Sequence, residues 1–197
     1  MKQYNINIPH SHTVVVDLGM NIGDSTLFFA SNDNVDAVYG FEPFKDTYQQ
    51  ALDNFALNES NIRNKIHPYC QAVSNFNGTR KIPILSDESM GRSTALENAE
   101  NEISNAVEIE YRRADEVLRQ IIKDNEGKPL ILKSDTEGSE FEVFDCLKDT
   151  DILRYVDAIV MEYHRNPAEL INIIEEFGFR YVKTGIKLGI IYAVKTN

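Results

Sequence analysis

Cysteine is scarce in this chain. Cys70 and Cys146 are its two, too few for a disulfide framework and not in CxxC spacing, so both read as small packed apolar residues. Glycine and proline are sparse too, ten and six in 197 residues, which excludes collagen-like and low-complexity chains. No apolar run approaches the ~18 residues that a membrane-spanning helix requires. The amino terminus, MKQYNINIPHSH, has no apolar h-region and no small-residue cleavage site, so it reads as mature protein with an expected cytoplasmic location. Positive charge is in deficit. Twenty Lys plus Arg against 31 Asp plus Glu leave a net charge of −11, and approach to a phosphate polymer or an anionic membrane begins against repulsion. The densest basic pair, Arg112 and Arg113, sits among Glu108, Glu110 and Asp115. Neither nucleic acid nor stable membrane insertion is expected.

What is present is a regular alternation. A chain this long suits a single domain over 1–197, burying roughly 70% of its unfolded surface. Residues 13–17 (TVVVD) form a β-branched run that ends in the turn LGMNIGDS, and 26–30 is a compact apolar stretch suited to a buried helix. Residues 35–41 (VDAVYGF) predict a second strand, followed by Pro43 in first-turn position and by Phe44, Tyr48, Ala51, Leu52, Phe55 and Ala56 at helical spacing. A third strand is expected over 65–73, bent or near an edge because of Pro68. Strand-like segments at 79–85 and 106–112 enclose a Ser-, Asn- and Glu-rich stretch, 86–105, and mark a β-hairpin-like insertion over about 79–113. Its MGRSTAL segment, with Arg92, Ser93 and Thr94, is where an acceptor lid is expected, an acidic loop being the alternative.

Alternation then resumes: a helix over 115–123, a strand at LILKSD, a helix over 140–147, a strand over 156–163, a helix after Asn166 and Pro167, and two strands near 180–184 and 188–195 that pair as a hairpin. Such a pattern predicts an α/β fold, a three-layer Rossmann-like sandwich whose mostly parallel sheet is covered on both faces and gains an antiparallel strand from the carboxyl-terminal hairpin.

In sheets of this type ligands bind beyond the carboxyl ends of the strands, where strand order reverses. The first strand ends in Asp17, Gly19, Asn21 and Gly23. A diphosphate-binding turn prefers glycine at the middle position, where Asn21 stands. The Asp-x-Gly-x-Asn-x-Gly spacing suits instead a ligand with an ammonium group, held by the carboxylate directly or through water. Glu42, 25 positions after Asp17, ends the second strand and can accept hydrogen bonds from both hydroxyls of a ribose. An amino acid at one end and a nucleoside at the other describe S-adenosylmethionine.

Four blocks in order, VVVDLGMNIGDST, VYGFEPF, LKSDTEGSEFEVF and IVMEYH, resemble the motifs of the FkbM family of S-adenosylmethionine-dependent methyltransferases, from about Val14 to His164. The LKSDTEGSE block, with Lys133, Asp135, Glu137, Gly138 and Glu140, distinguishes that family from other class I methyltransferases; Met20, Ser134 and Thr136 depart from its usual residues. The resemblance implies a seven-stranded class I sheet, S-adenosylmethionine as cofactor, and methylation of a hydroxyl on a sugar or natural-product acceptor, a small molecule or glycan. It also implies that Gln71, Ala72 and Val73 lie against the adenine.

Strand geometry nominates the remaining groups. Ile131, Lys133 and Asp135 share one face of their strand, and Glu162 and His164 share one face of the next. His164 is the expected general base, its imidazole near neutral pKa, with Glu162 or Glu137 orienting it. Lys133, inside an apolar strand, needs a partner, and Asp135 or Glu162 is the expected one; Asp135 would then hold the ammonium or the acceptor. Asp135, Glu137, Glu162 and His164 could together hold a divalent cation, but no dense ligand spacing supports it, and no metal is expected. His10, His12 and His67 read as surface or loop residues. Two other readings stay open, a nucleotide-dependent oxidoreductase on the same fold and a nucleoside-binding module without turnover.

Overall fold

The computed structural model of the chain describes residues 11–83 and 106–196. The expected lid over 86–105, together with Arg92, Ser93, Thr94 and His10, lies outside the described residues. Among the described residues, ten strands and six α-helices follow in the order β1 (Thr13–Leu18), α1 (Asp24–Ala30), β2 (Val35–Phe41), α2 (Lys45–Ala56), α3 (Ser60–Arg63), β3 (Ile66–Tyr69), β4 (Ala72–Ser74), β5 (Gly78–Pro83), β6 (Ala106–Arg113), α4 (Ala114–Asp124), β7 (Leu130–Ser134), α5 (Glu140–Lys148), β8 (Ala158–Tyr163), α6 (Ala168–Glu176), β9 (Phe179–Lys183) and β10 (Gly189–Lys195), with a 3-10 turn at Ile152–Tyr155 before β8.

Seven strands form one sheet in the order β3-β2-β1-β7-β8-β10-β9. β1 pairs in parallel with β2 and β7, β2 with β3, and β7 with β8, while β10 runs antiparallel between β8 and β9. The expected three-layer α/β sandwich is therefore the observed one. The chain leaves β1 toward β2 and β3, then returns on the other side of β1 through β7, so the strand order reverses between β1 and β7. Alternation along these strands sorts the core. Val14, Val16, Leu18, Leu132, Ile159 and Met161 join Leu118, Phe144 and Ile174 of α4, α5 and α6 on one face. Val15, Val38 and Ile131 join Phe29, Ala51 and Phe55 of α1 and α2 on the other.

Two expectations are corrected. The third strand does not run through 65–73. It breaks after Tyr69, and Ala72–Ser74 joins β5 and β6 in a separate three-stranded sheet, order β4-β6-β5. The physical cause is a separate small core of Phe44, Ala72, Ile82, Ile109 and Tyr111, which draws the second half of the segment away from the main sheet. The insertion is hairpin-like, since β5 and β6 are antiparallel, but it is completed by β4 pairing in parallel with β6. Among the described residues, no helix is long and apolar enough to cross a membrane.

Leu132, at the centre of β7, is fully buried in the larger core. Leu132→Ala is expected to lower the unfolding free energy by about 2–5 kcal/mol, transfer and cavity contributions combined, in urea titrations followed by far-UV circular dichroism.

Candidate functional site

The switch point is built around a buried ion pair. Asp17 and Lys133 are register partners on adjacent parallel strands, and both point to the face that α1 covers. Asp17 Oδ1 lies 2.8 Å from Lys133 Nζ, with the two side chains 0% and 1% exposed. Ser25 Oγ and Thr26 Oγ1, from the first turn of α1, each donate to Asp17 Oδ2 at 2.7 Å. Lys133 Nζ also donates to the Gly19 carbonyl at 2.6 Å. The ammonium thus holds the carboxyl end of β1 and the turn that follows it. This corrects two expectations: Lys133 pairs with Asp17 and not with Asp135 or Glu162, and the Asp17 carboxylate is enclosed by partners within the protein, with no open face for a ligand's ammonium. Parallel register decides it, because it sets Asp17 directly beside Lys133.

The turn is tight for a reason visible in the backbone. Gly19 adopts φ +76, and a Cβ there would meet the Asp135 carbonyl oxygen at 1.8 Å, so only glycine lets the turn after β1 touch the turn after β7. Asn21 also has positive φ, at 51, a conformation that asparagine tolerates better than most side chains. Its side chain is exposed, whereas Gly23 is buried against Phe55 of α2. Asp135 N donates to the Leu18 carbonyl at 3.0 Å, closing the two turns together.

Glu42 follows β2 and is 6% exposed. Its Oε1 accepts the Phe44 N–H at 3.0 Å, and the Asn21 N–H also donates to it. Burial pushes its carboxyl up to about 7 against those two hydrogen bonds. A carboxylate offers about four acceptor positions, so two backbone donors leave room for a diol.

Beyond β7 and β8 the sheet gathers acids around one imidazole. Glu137, in the loop before α5, has φ 52, and its Oε2 lies 3.3 Å from His164 Nε2. Glu140 opens α5 yet is fully buried. Its Oε1 accepts the His164 backbone N–H at 2.9 Å and sits 3.4 Å from Nδ1 of that ring, while its Oε2 accepts the Gly138 N–H at 2.8 Å. Asp135, Glu137 and His164 each bring one ligand atom to within 4.8 Å of the other two. Glu162, half-buried near the end of β8, interacts electrostatically with Asp135, His164 and Glu137, and burial followed by Asp135 raises its carboxyl pKa. The Glu137 and Glu140 carboxylates push His164 up to about 10. That value lies well above the near-neutral imidazole expected, because two carboxylates flank the ring and favour its protonated form. Glu140 is the residue that sequence reading did not place in the site. An acid among the apolar residues of an otherwise buried helix start was the available signal.

Gln71, Ala72 and Val73 lie at the junction of the two sheets. Gln71 Nε2 donates to Glu110 Oε1 at 2.8 Å, and Ala72 and Val73 are buried in β4. His12 is exposed and pairs with Asp36 at 3.2 Å, and His67 in β3 stacks on Tyr39 with ring centroids 4.8 Å apart; neither is near the acidic group.

The model of the methyltransferase FkbM domain matches residues 17–181. The chain belongs to the FkbM methyltransferase family. Among solved structures it is similar to a methyltransferase FkbM from Methylobacillus flagellatus KT, with TM-score 0.61 and 14% identity, covering 98% of this chain and 47% of that one. It is also similar to a protein of the NADB-Rossmann superfamily from Streptococcus agalactiae, with TM-score 0.53, 14% identity and coverage of 97% and 66%. A third is the proposed tRNA (m1A22) methyltransferase of Streptococcus pneumoniae in complex with S-adenosyl-L-methionine, with TM-score 0.55, 9% identity and coverage of 95% and 69%. The chain thus spans less than two thirds of the length of the first two. At identities this low the likeness shows the shared fold alone. No curated protein matches the chain.

Removing the buried ammonium leaves the Asp17 charge uncompensated. Lys133→Met is expected to lose about 3–5 kcal/mol of stability in urea titrations, and adding Asp17→Asn should restore part of that loss.

Proposed function

We propose that this FkbM-family domain transfers the methyl group of S-adenosylmethionine to a hydroxyl of a small-molecule or glycan acceptor, of the sugar or natural-product class. The observation that carries the reading is the pairing of Glu42 with the turn after β1: a buried carboxylate with unfilled acceptor capacity beside a glycine turn into which no side chain would fit. The residues present suit both ends of that cofactor. Glu42 would take the ribose diol. Gly19, Asn21 and Gly23 would shape the seat of the amino acid moiety, with Asp17 acting through Lys133, Ser25 and Thr26 to hold the turn and Asp135 offering the carboxylate for the ammonium. Gln71, Ala72 and Val73 would border the adenine.

When bound, the cofactor supplies a methyl on a sulfonium: the C–S bond breaks with its electron pair kept by sulfur, a C–O bond forms to the acceptor, and the acceptor hydroxyl loses its proton. The chain must orient that hydroxyl and receive the proton. Glu162 suits the second task, being half-buried beside the other acids of the β7 and β8 ends. Glu137 and His164 suit the first, an acceptor-binding rim of a carboxylate and a fixed imidazole. A negative rim favours a neutral polyol over a nucleic acid, in line with the net charge of −11.

Two outcomes are expected. Glu42 is most useful to a diol when ionised, and its raised pKa of about 7 means that the free protein holds a proton there below neutrality. Binding of S-adenosylhomocysteine, measured by calorimetry, should therefore weaken as pH falls below 7, approaching tenfold per unit. Glu42→Gln should bind at least about tenfold more weakly at pH 8 and lose most of the pH dependence. Glu162→Gln should retain cofactor binding while turnover on a productive acceptor falls by about 10²–10⁴-fold.

A further inference from the structure

Among the described residues, half of the exposed large hydrophobic side chains lie in the carboxyl-terminal hairpin of β9 and β10. Val182, Ile186 and Leu188 are 68%, 85% and 58% exposed, close together along the chain. Charge is sorted as well. No Asp or Glu follows Glu176, while Arg180, Lys183, Lys187 and Lys195 do, so all 31 acids lie before the hairpin. We propose that the tip of this hairpin, where Lys183 and Lys187 stand beside Val182, Ile186 and Leu188, docks the protein on an anionic lipid surface.

The tip is closed by its own hydrogen bonds. The Thr184 N–H donates to the Ile190 carbonyl at 2.9 Å, and the Ile190 N–H donates to Thr184 Oγ1 at 3.1 Å. Gly185 adopts φ +73, and a Cβ there would meet the Leu188 carbonyl oxygen at 1.9 Å. The turn thus folds back on its own backbone while the Ile186 and Leu188 side chains stay in water. Lys183 Nζ donates to the Gly185 carbonyl at 3.2 Å, which keeps one cation at the tip. Lys195 belongs to the opposite end of the hairpin, where it donates to the Leu153 and Arg154 carbonyls. Apolar residues exposed singly are ordinary, but a group of them marks an interaction site. Its place in the fold is fixed through β8. Gly189 is the register partner of Tyr163, whose hydroxyl donates to the Thr184 carbonyl. The tip therefore stands at the same carboxyl edge of the sheet as His164, the residue after Tyr163.

Area and charge select the occupant. Three aliphatic side chains on a tight turn remove about 300 Å² from water, whereas a stable protein interface takes about 800 Å² from each partner. A second copy seated on the tip by two-fold symmetry would also bring Lys183 and Lys187 against their own counterparts, with no acid of the hairpin to receive them. A bilayer avoids both difficulties. The aliphatic side chains leave water at the acyl boundary, and the lysines reach anionic headgroups on flexible stems. The net charge of −11 keeps such docking weak and reversible. Salt screens distant acids over ~8 Å, and two acids of the same sheet edge, Glu137 and Glu162, interact with His164. Docking at this edge would present a lipid-borne acceptor to the site. That use rests on the methyl-transfer reading; the docking itself does not.

Flotation of the full chain with vesicles of equimolar phosphatidylcholine and phosphatidylglycerol, without cofactor, tests the proposal. The protein is expected to rise with these vesicles and to bind pure phosphatidylcholine about tenfold more weakly. The double change Ile186→Ser and Leu188→Ser should weaken binding to the mixed vesicles at least about tenfold. Lys183→Gln with Lys187→Gln should remove most of the preference for phosphatidylglycerol. All four positions are exposed, so far-UV circular dichroism and the thermal midpoint of both variants should match the parent. No flotation with the mixed vesicles would overturn the proposal, and so would flotation that neither variant alters. Sedimentation equilibrium supplies the remaining arm: a dimer without lipid that Ile186→Ser and Leu188→Ser dissociate would assign the tip to a second copy and overturn the lipid surface as its occupant. Failure to bind S-adenosylhomocysteine would count against the methyl-transfer reading alone, since flotation is read without it.

Discussion

A single buried ion pair sets the geometry on which the rest of the site depends. Asp17 and Lys133 face each other across the parallel β1–β7 pair, at the place where strand order reverses. A buried pair of this kind contributes little net stability over apolar residues of the same shape, but breaking one half is costly. Its value here is positional. The Lys133 ammonium reaches past the carboxylate to the Gly19 carbonyl, and Ser25 and Thr26 tie the same carboxylate to the first turn of α1. Strand, turn and helix are fixed to one another through four polar side chains that water does not reach. The turn they hold can then lie against the backbone after β7, which the missing side chain of Gly19 permits.

On that frame the two halves of the site differ in electrostatic character. The β1–β2 side offers a lone buried carboxylate, Glu42, with backbone donors around it and spare acceptor capacity. The β7–β8 side offers a crowded acidic group in which Glu137 and Glu140 flank one imidazole. The first arrangement suits a neutral diol.

Much of this was legible in the chain. The strand–turn–helix alternation, the glycine turn after TVVVD, the strand-end acid of VYGFE and the LKSDTEGSE block all stand out along the sequence, and the sheet sets their strands side by side in the order β2-β1-β7. Local pattern suffices there because each feature sits at the carboxyl end of a strand, and a period of two fixes which side chains share a face. The division of 65–73 between two sheets was not legible, because Ile66 and Val73 read alike and only the cluster of Phe44, Ile82, Ile109 and Tyr111 separates them. The partner of Lys133 was not legible either: spacing favours Asp135, two positions away, whereas parallel pairing chooses Asp17, 116 residues earlier by the numbering.

The sequence by itself determined the order of strands and helices, the kind of residue at each strand end and the excess of acid, since these follow from periodicity and composition alone. Only the tertiary structure decided which charges meet. Glu140 and Glu137 flank His164, and Lys133 meets Asp17, because strand register and a left-handed residue at Glu137 bring together groups that no spacing along the chain relates. The proton affinity of a group is set by those neighbours, which is why the two carboxylates push the His164 imidazole above its ordinary value.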